Sequence, residues 1–272
     1  MTASKSPKPP RIQALARASA IIDVIAAGDT EGTRLGEICR VTKLNKTTAF
    51  NLLASLVVLG FVEQDKRSRR YRLGLRNLEL GRIVKQRLHI SHLSRPILAD
   101  LCKKTNETVN LGLPDLLDLW VIDSYQGSRL LYATAYGGWR SMYHCTALGK
   151  AFLSFWDAPM RHTVYRLRGL PRLTPRTITD VDTLEAQLDR FKAQGYAVDV
   201  GENEVGVNGI ARAIVDGMGD VAAAVSVAGH SSRLTEDVME KIAPHVIAAA
   251  DAISAALEHG EHPANRDSRR RQ

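Results

Sequence analysis

Residues 33–75 read TRLGEICRVTKLNKTTAFNLLASLVVLGFVEQDKRSRRYRLGL, and the rest of the chain is interpreted outward from them. Ala49, Leu52, Leu53 and Leu56 fall at i, i+3, i+4 and i+7, which predicts a helix with one apolar stripe. Asn45 suits its N-cap, and Gly60 suits the left-handed residue that ends it. Away from the stripe stand Lys46, Thr47, Thr48, Phe50 and Asn51, and no acidic side chain lies among them. Small donors and acceptors at the start of a helix whose other side is buried match entry into a DNA major groove. A shorter helix precedes it, turning inward Leu35, Ile38 and Cys39, with Thr33 as its expected cap and Arg34 beside it. After Gly60, two short alternating segments flank the tip DKRSRR, which predicts a β-hairpin wing. Arg67, Arg69, Arg70 and Arg72 are expected there to meet phosphates or the minor groove. Such contacts add affinity without carrying sequence information.

The charge distribution supports this reading. Of the 272 residues, 44% are hydrophobic and 24% charged, the balance of a globular protein, and the length suggests two domains. Residues 1–88 hold 17 Lys and Arg against 7 Asp and Glu, whereas 89–272 hold 20 against 22, so the net +8 originates in the first third. A basic module joined to a mildly acidic one points to phosphate contact by the first alone. No apolar run reaches the ~18 residues that span a bilayer, and no apolar segment follows the basic N-terminus. Three scattered cysteines fit neither a disulfide framework nor a paired zinc site. The expectation is a cytoplasmic protein with no membrane contact, no metal, no cofactor and no catalytic residues. Gly-rich phosphate loops and the HExxH and GxSxG patterns are absent from the sequence.

In order, the chain reads as a disordered tail (1–10), a winged helix-turn-helix domain (11–74), a linker helix (75–90), a sensor domain (91–258) and a loose basic tail (259–272). The winged domain begins with an amphipathic helix over 11–27. The linker helix, roughly 75–86, has an apolar stripe of Leu75, Leu78, Leu80, Ile83 and Val84 and is expected to pair with its copy in a second subunit. Beyond residue 91 the patterns predict a helix over 93–105 and strands at 108–113, 119–122 and 130–136. Helices follow at 147–155 and 182–194, then strands at 196–199, 209–215 and 221–228. A final helix is capped by Thr235. The fold class is α+β, and the sensor domain, of ~170 residues, is large enough for a core and a ligand cavity.

These residues resemble the IclR family of bacterial transcription regulators. LNKTTAFNLL at 44–53 matches its recognition-helix slot, and YRLGLR at 71–76 with LELG at 78–81 matches its wing-to-linker slot. HCTALGKAFL at 144–153 is a second block. The third runs from GYAVD at 195–199 through ENEVGV at 202–207 to AVSVAG at 224–229, with SRLT at 232–235 behind it. The resemblance spans about residues 12–256. It implies a homodimer, or a dimer of dimers, on palindromic double-stranded operator DNA. It also implies a GAF-like C-terminal domain that binds a small, often carboxylate- or carbonyl-bearing effector and controls a catabolic operon. Residues do not separate repressor from activator; repression is the preferred expectation. Carried over position by position, the resemblance selects Ala147 and Leu148, whose amides open a helix, with Asp199, Val207, Gly209, Ser226 and Ala228 as effector contacts. Gly209 stands where the family can carry Cys and Ala228 where it can carry Ser, implying a roomier and less polar pocket that Trp139 and Tyr143 could line. Asn51 stands where many members carry Arg, which implies a preference for adenine rather than guanine at that base.

The competing class is a small-molecule enzyme with an N-terminal targeting or dimerisation module. It would draw on Asp199, Glu202 and Glu204 and on the adjacent His144 and Cys145. Carboxylates this close in a loop are more often solvated or structural, and adjacent side chains diverge from one backbone, so the regulator reading is preferred.

Overall fold

The computed structural model describes residues 11–115, 117–128 and 138–260. The chain divides into two compact units, Met1–Arg87 and Leu88–Gln272. The expected tails at 1–10 and 261–272, and the expected strand at 130–136, lie outside the described residues.

The first unit contains α1 (Gln13–Ala26), α2 (Leu35–Thr42), α3 (Lys46–Val58), β1 (Val62–Gln64), β2 (Tyr71–Leu73) and α4 (Arg76–Arg87). Its core joins Ile21 and Ile25 of α1, Ile38 of α2, Leu53 and Leu56 of α3, and Val62 and Tyr71 of the wing. Leu53 is fully buried, a side-chain contribution of roughly 1.5–3 kcal/mol. Lys43, in left-handed backbone, ends α2 and turns the chain toward Asn45, whose Oδ1 accepts the Thr48 amide at 2.8 Å to start α3. Gly60 takes the expected left-handed conformation at φ 77°. The hairpin pairs Val62 with Leu73 and Gln64 with Tyr71. Helix α4 is the linker helix of the sequence reading, and none of its residues is buried.

The second unit is a six-stranded antiparallel sheet with helices on both faces. Its elements are α5 (His89–Thr105), β3 (Thr108–Pro114), β4 (Leu119–Tyr125), β5 (Trp139–Ser141), α6 (Ala147–Phe155), α7 (Ala158–Arg168), α8 (Val181–Gln194), β6 (Ala197–Val200), β7 (Val207–Val215), β8 (Val221–His230) and α9 (Glu236–Gly260). The strand order is β5-β4-β3-β8-β7-β6. Because side chains alternate along a strand, each face has its own core. Val109, Leu111, Ile210, Ile214, Val225 and Val227 pack toward α5 and α9. Ala211 and Ala224 pack with Leu148, Phe152, Leu184 and Leu188 on the α6 and α8 side.

Three elements depart from expectation. Helix α5 begins at His89, four residues early, and accommodates Pro96 in its interior. Helix α7 was not predicted; Asp157 caps it through the Met160 amide at 2.9 Å. The short edge strand β5 was also unforeseen.

Candidate functional site

On α3, Ala49, Leu53 and Leu56 are buried, while Lys46, Thr47, Phe50 and Asn51 are exposed together. Phe50 is 52% exposed, an unusual position for an aromatic ring unless a partner covers it. Thr48 is half-buried, and its amide closes the N-cap.

The wing tip is preorganised. Asp65 Oδ1 accepts the amides of Arg67 at 3.1 Å and Ser68 at 2.6 Å, as well as the Ser68 hydroxyl at 2.8 Å. These donors hold the Asp65 carboxyl below its ordinary value. Arg69 takes φ 59°, its amide bonded back to Asp65 O at 2.9 Å, and both Arg67 and Arg69 are exposed.

Three candidate contacts are corrected by their surroundings. Thr33 is not the cap of α2. Its amide and carbonyl pair with Tyr71, both at 2.9 Å, so that it bridges to the wing as an isolated antiparallel pair, and the residue is buried. Arg34 occupies the cap position instead, exposed and in extended backbone. Arg70 and Arg72 do not project from the tip. Arg70 Nη1 donates to Gly32 O at 2.7 Å, and Arg72 donates through Nε and Nη2 to Glu31 O at 3.3 Å each. Guanidinium groups present several donors in a fixed fork, and here they brace the wing against the loop before α2.

In the second unit, strand parity brings the predicted effector residues to one face. Asp199 pairs with Gly209, Gly209 with Ala228, and Ala211 with Ser226. These positions look toward α6, where Thr146 caps the helix by accepting the Gly149 amide at 3.0 Å. The amides of Ala147 and Leu148, at the first two helical positions, have no intrahelical carbonyl to reach. The expected extra room at Gly209 is not present on this side. A Cβ there would lie 3.3 Å from Ala147 Cβ, and one at Gly112 would lie 3.4 Å from Leu148 Cδ1, so the glycines let α6 settle close to the sheet. Val207 lies half-buried at the start of β7.

Tyr143 and Trp139 depart from a simple lining role. The Tyr143 hydroxyl donates to the Asp115 and Asp118 carbonyl region at 2.7 and 2.6 Å and receives the Asp115 amide at 3.1 Å, which fixes the β3–β4 turn. Burial raises its pKa far above the ordinary phenol value. Its ring borders a cavity of about 100 Å³ lined also by Met142, His144, Tyr165 and Leu170. Trp139, half-buried on β5, has an indole N–H with no acceptor among the described residues.

Sequence reasoning passed over the most buried charge. Lys150 is 0% exposed, and its Nζ lies 2.5 Å from Glu202 Oε1 and 3.1 Å from Gln187 Oε1. Asp199 and Glu202 are buried rather than solvated, while Glu204 is exposed. Burial pushes the Asp199 carboxyl up to about 7, against the opposing pull of Lys150 and the Glu202 amide at 2.7 Å. The available signal was a lysine in the otherwise apolar run ALGKAFLSF, which demands an internal counter-charge. His144 and Cys145 form no dyad. His144 Nε2 meets Pro171 O at 3.0 Å, Cys145 Sγ points to Asn203 Oδ1 at 3.8 Å, and burial pushes the thiol up to about 12. Among the described residues, no group of three or more His, Cys, Asp or Glu side chains is arranged to hold a metal ion, and no helix is long and apolar enough to cross a membrane.

Comparison with known proteins agrees with both units. Residues 14–66 match the IclR helix-turn-helix domain, and residues 83–255 match the C-terminal domain of bacterial transcriptional regulator IclR. The chain is 31% identical over 251 residues to the HTH-type transcriptional repressor AllR of Escherichia coli, covering 92% of each chain. The structure of IclR from Thermotoga maritima superposes with a TM-score of 0.70 at 29% identity, over 90% of this chain and 98% of that one. An IclR homologue from Microbacterium hydrocarbonoxydans, complexed with 4-hydroxybenzoate, shares the fold with a TM-score of 0.74 at 23% identity, over 90% and 98% of the two chains.

Proposed function

The chain belongs to the IclR family of bacterial transcriptional regulators and is a ligand-responsive DNA-binding regulator; from that premise we propose that it is a homodimeric repressor of a catabolic operon. In this reading α3 enters the major groove of operator DNA, and Arg67 and Arg69 at the wing tip meet phosphates or the minor groove. Lys46, Thr47, Phe50 and Asn51 face the bases, and Arg34 reaches the backbone. The effector is a small carboxylate- or carbonyl-bearing compound. It is held on the α6 side of the sheet by the Ala147 and Leu148 amides and by Asp199, with Ser226 and Ala228 beneath it. Action on operator DNA places the protein in the cytoplasm.

The observation that carries the DNA half is the exposed start of α3 opposite the buried Ala49, Leu53 and Leu56, in a unit that holds the chain's excess positive charge. Repression follows the name of the AllR relative. The apolar side chains of α4 support the homodimer: Leu78 is 72% and Val84 60% exposed.

The test is selection of binding sites from random duplex DNA with the full chain, followed by affinity measurements on the selected site. Thr47→Ala combined with Asn51→Ala should lower specific affinity at least tenfold and leave nonspecific affinity nearly unchanged. Equal specific affinity in the double variant would refute the assignment of α3.

A further inference from the structure

The buried polar cluster beside α6 contains more charge than effector binding alone requires. Lys150 is fully buried: its ammonium pairs with Glu202 Oε1 at 2.5 Å and lies over the Phe191 ring, 5.4 Å from its centroid. Asp199, on β6, receives the Glu202 amide at 2.7 Å. Glu202 Oε2 is buried and has no hydrogen-bond partner among the described residues. The hydroxyls of Thr174 and Thr177 bond the Glu202 main-chain carbonyl rather than its carboxylate.

The surrounding titratable groups do not balance a second negative charge. The Cys145 thiol stays neutral, with its pKa raised by burial, Asp199 and Glu202. The His144 imidazole is pulled toward its neutral form by burial and by Lys150. Arg176 reaches only the Val200 carbonyl, at 3.4 Å. Gln187 is neutral, and β7 contributes Gly209 opposite Asp199. Two carboxyl groups therefore face one ammonium. Full ionisation would leave one uncompensated charge in the interior, which a protein avoids by binding a proton.

We propose that Asp199, Glu202 and Lys150 form a single proton-exchanging unit that takes up one proton across neutral pH and thereby sets the charge of the effector site. Its consequence for binding rests on the effector reading above. An anion at the Ala147 and Leu148 amides is repelled by ionised Asp199 and accepted by protonated Asp199, whose hydroxyl can donate to it. Anion and proton are then taken up together, and affinity for an anionic effector weakens as the pH rises through neutrality.

The test needs no effector. Full-length protein carrying ¹³C at the Asp and Glu side-chain carboxyls is titrated from pH 5 to pH 9 by NMR. One carboxyl resonance should titrate near neutrality and be missing in Asp199→Asn, which retains an oxygen acceptor for the Glu202 amide. Glu202→Gln removes the like charge and should lower the midpoint by about one pH unit, a tenfold change in proton affinity. Lys150→Met should raise it, and where that variant fails to fold, Glu202→Gln decides alone. The proposal is overturned if no carboxyl titrates near neutrality, if the near-neutral resonance survives in Asp199→Asn, or if its midpoint ignores the Glu202 charge. A protein that bound a carboxylate while failing this titration would retain the effector reading and lose this one.

Discussion

At Gly209 the absence of a side chain is a packing device rather than an opening. A Cβ there would meet Ala147 Cβ at 3.3 Å, tighter than ordinary van der Waals contact, at the helix start expected to receive the effector. Gly209→Ala should therefore destabilise the second unit by about 1 kcal/mol, because α6 must lift from the sheet or the strand must shift. Urea denaturation measures this, and an unchanged midpoint would mean that α6 yields freely. The same contact explains why composition misled at this position: sequence shows which atoms are missing, not whether a neighbour has taken their place. Asp199 was legible through its motif, and strand parity then gave Asp199, Gly209 and Ser226 a common face. Lys150 was not. Its four-carbon stem suits an apolar helix, and only the fold reveals that its head meets Glu202 rather than solvent.

Elements with a strong cap and a single buried face were the most legible. Asn45 and Thr146 each accept an amide three residues on; α3 starts after the expected Asn45 cap, and α6 spans the expected 147–155. Helix α7 buries only Val164 and Tyr165 within a polar run, so its periodicity was too weak to register despite the Asp157 cap. Helix α5 starts at His89 rather than at residue 93 and has Pro96 in its interior, where one backbone hydrogen bond is forgone. Helix α4 presents the opposite case, a clear apolar stripe with nothing buried. Large exposed apolar faces seek a partner, and Leu78 and Val84 are 72% and 60% exposed, with Leu75 just before the helix at 79%. Charge on this stripe should break a dimer formed by α4. Leu78→Glu with Val84→Glu is expected to sediment as a monomer at micromolar concentration and to lose most of its operator affinity, since one head reads one half-site. A double variant that remained dimeric would move the interface elsewhere. The wing follows a similar logic: its two braced arginines were misread as free because the Glu31 and Gly32 carbonyls they serve belong to a loop 38 to 41 residues earlier.

For the whole molecule, the division into Met1–Arg87 and Leu88–Gln272 separates α3, the proposed recognition helix, from the residues proposed to hold the effector. On that proposal regulation is a coupling free energy between sites in different units, not competition for one surface. A ligand shifts DNA affinity only as far as it distinguishes two states of the protein, and the coupling must be reciprocal. If an effector weakens operator binding by a given factor, operator must weaken effector binding by the same factor, typically 5- to 150-fold. Calorimetry with effector titrated into free protein and into the operator complex gives one value. Operator titration with and without effector gives the other. A factor that levels off at saturating effector means that a ternary complex forms, which puts the effector in a site distinct from DNA and linked to it. A factor that keeps growing with effector concentration would mean that the compound competes for the DNA-contacting residues. The Asn51→Ala variant supplies the control, because its effector affinity in the absence of DNA should equal that of the parent chain: Asn51 lies exposed on α3, in the unit that contains none of the residues proposed to hold the effector.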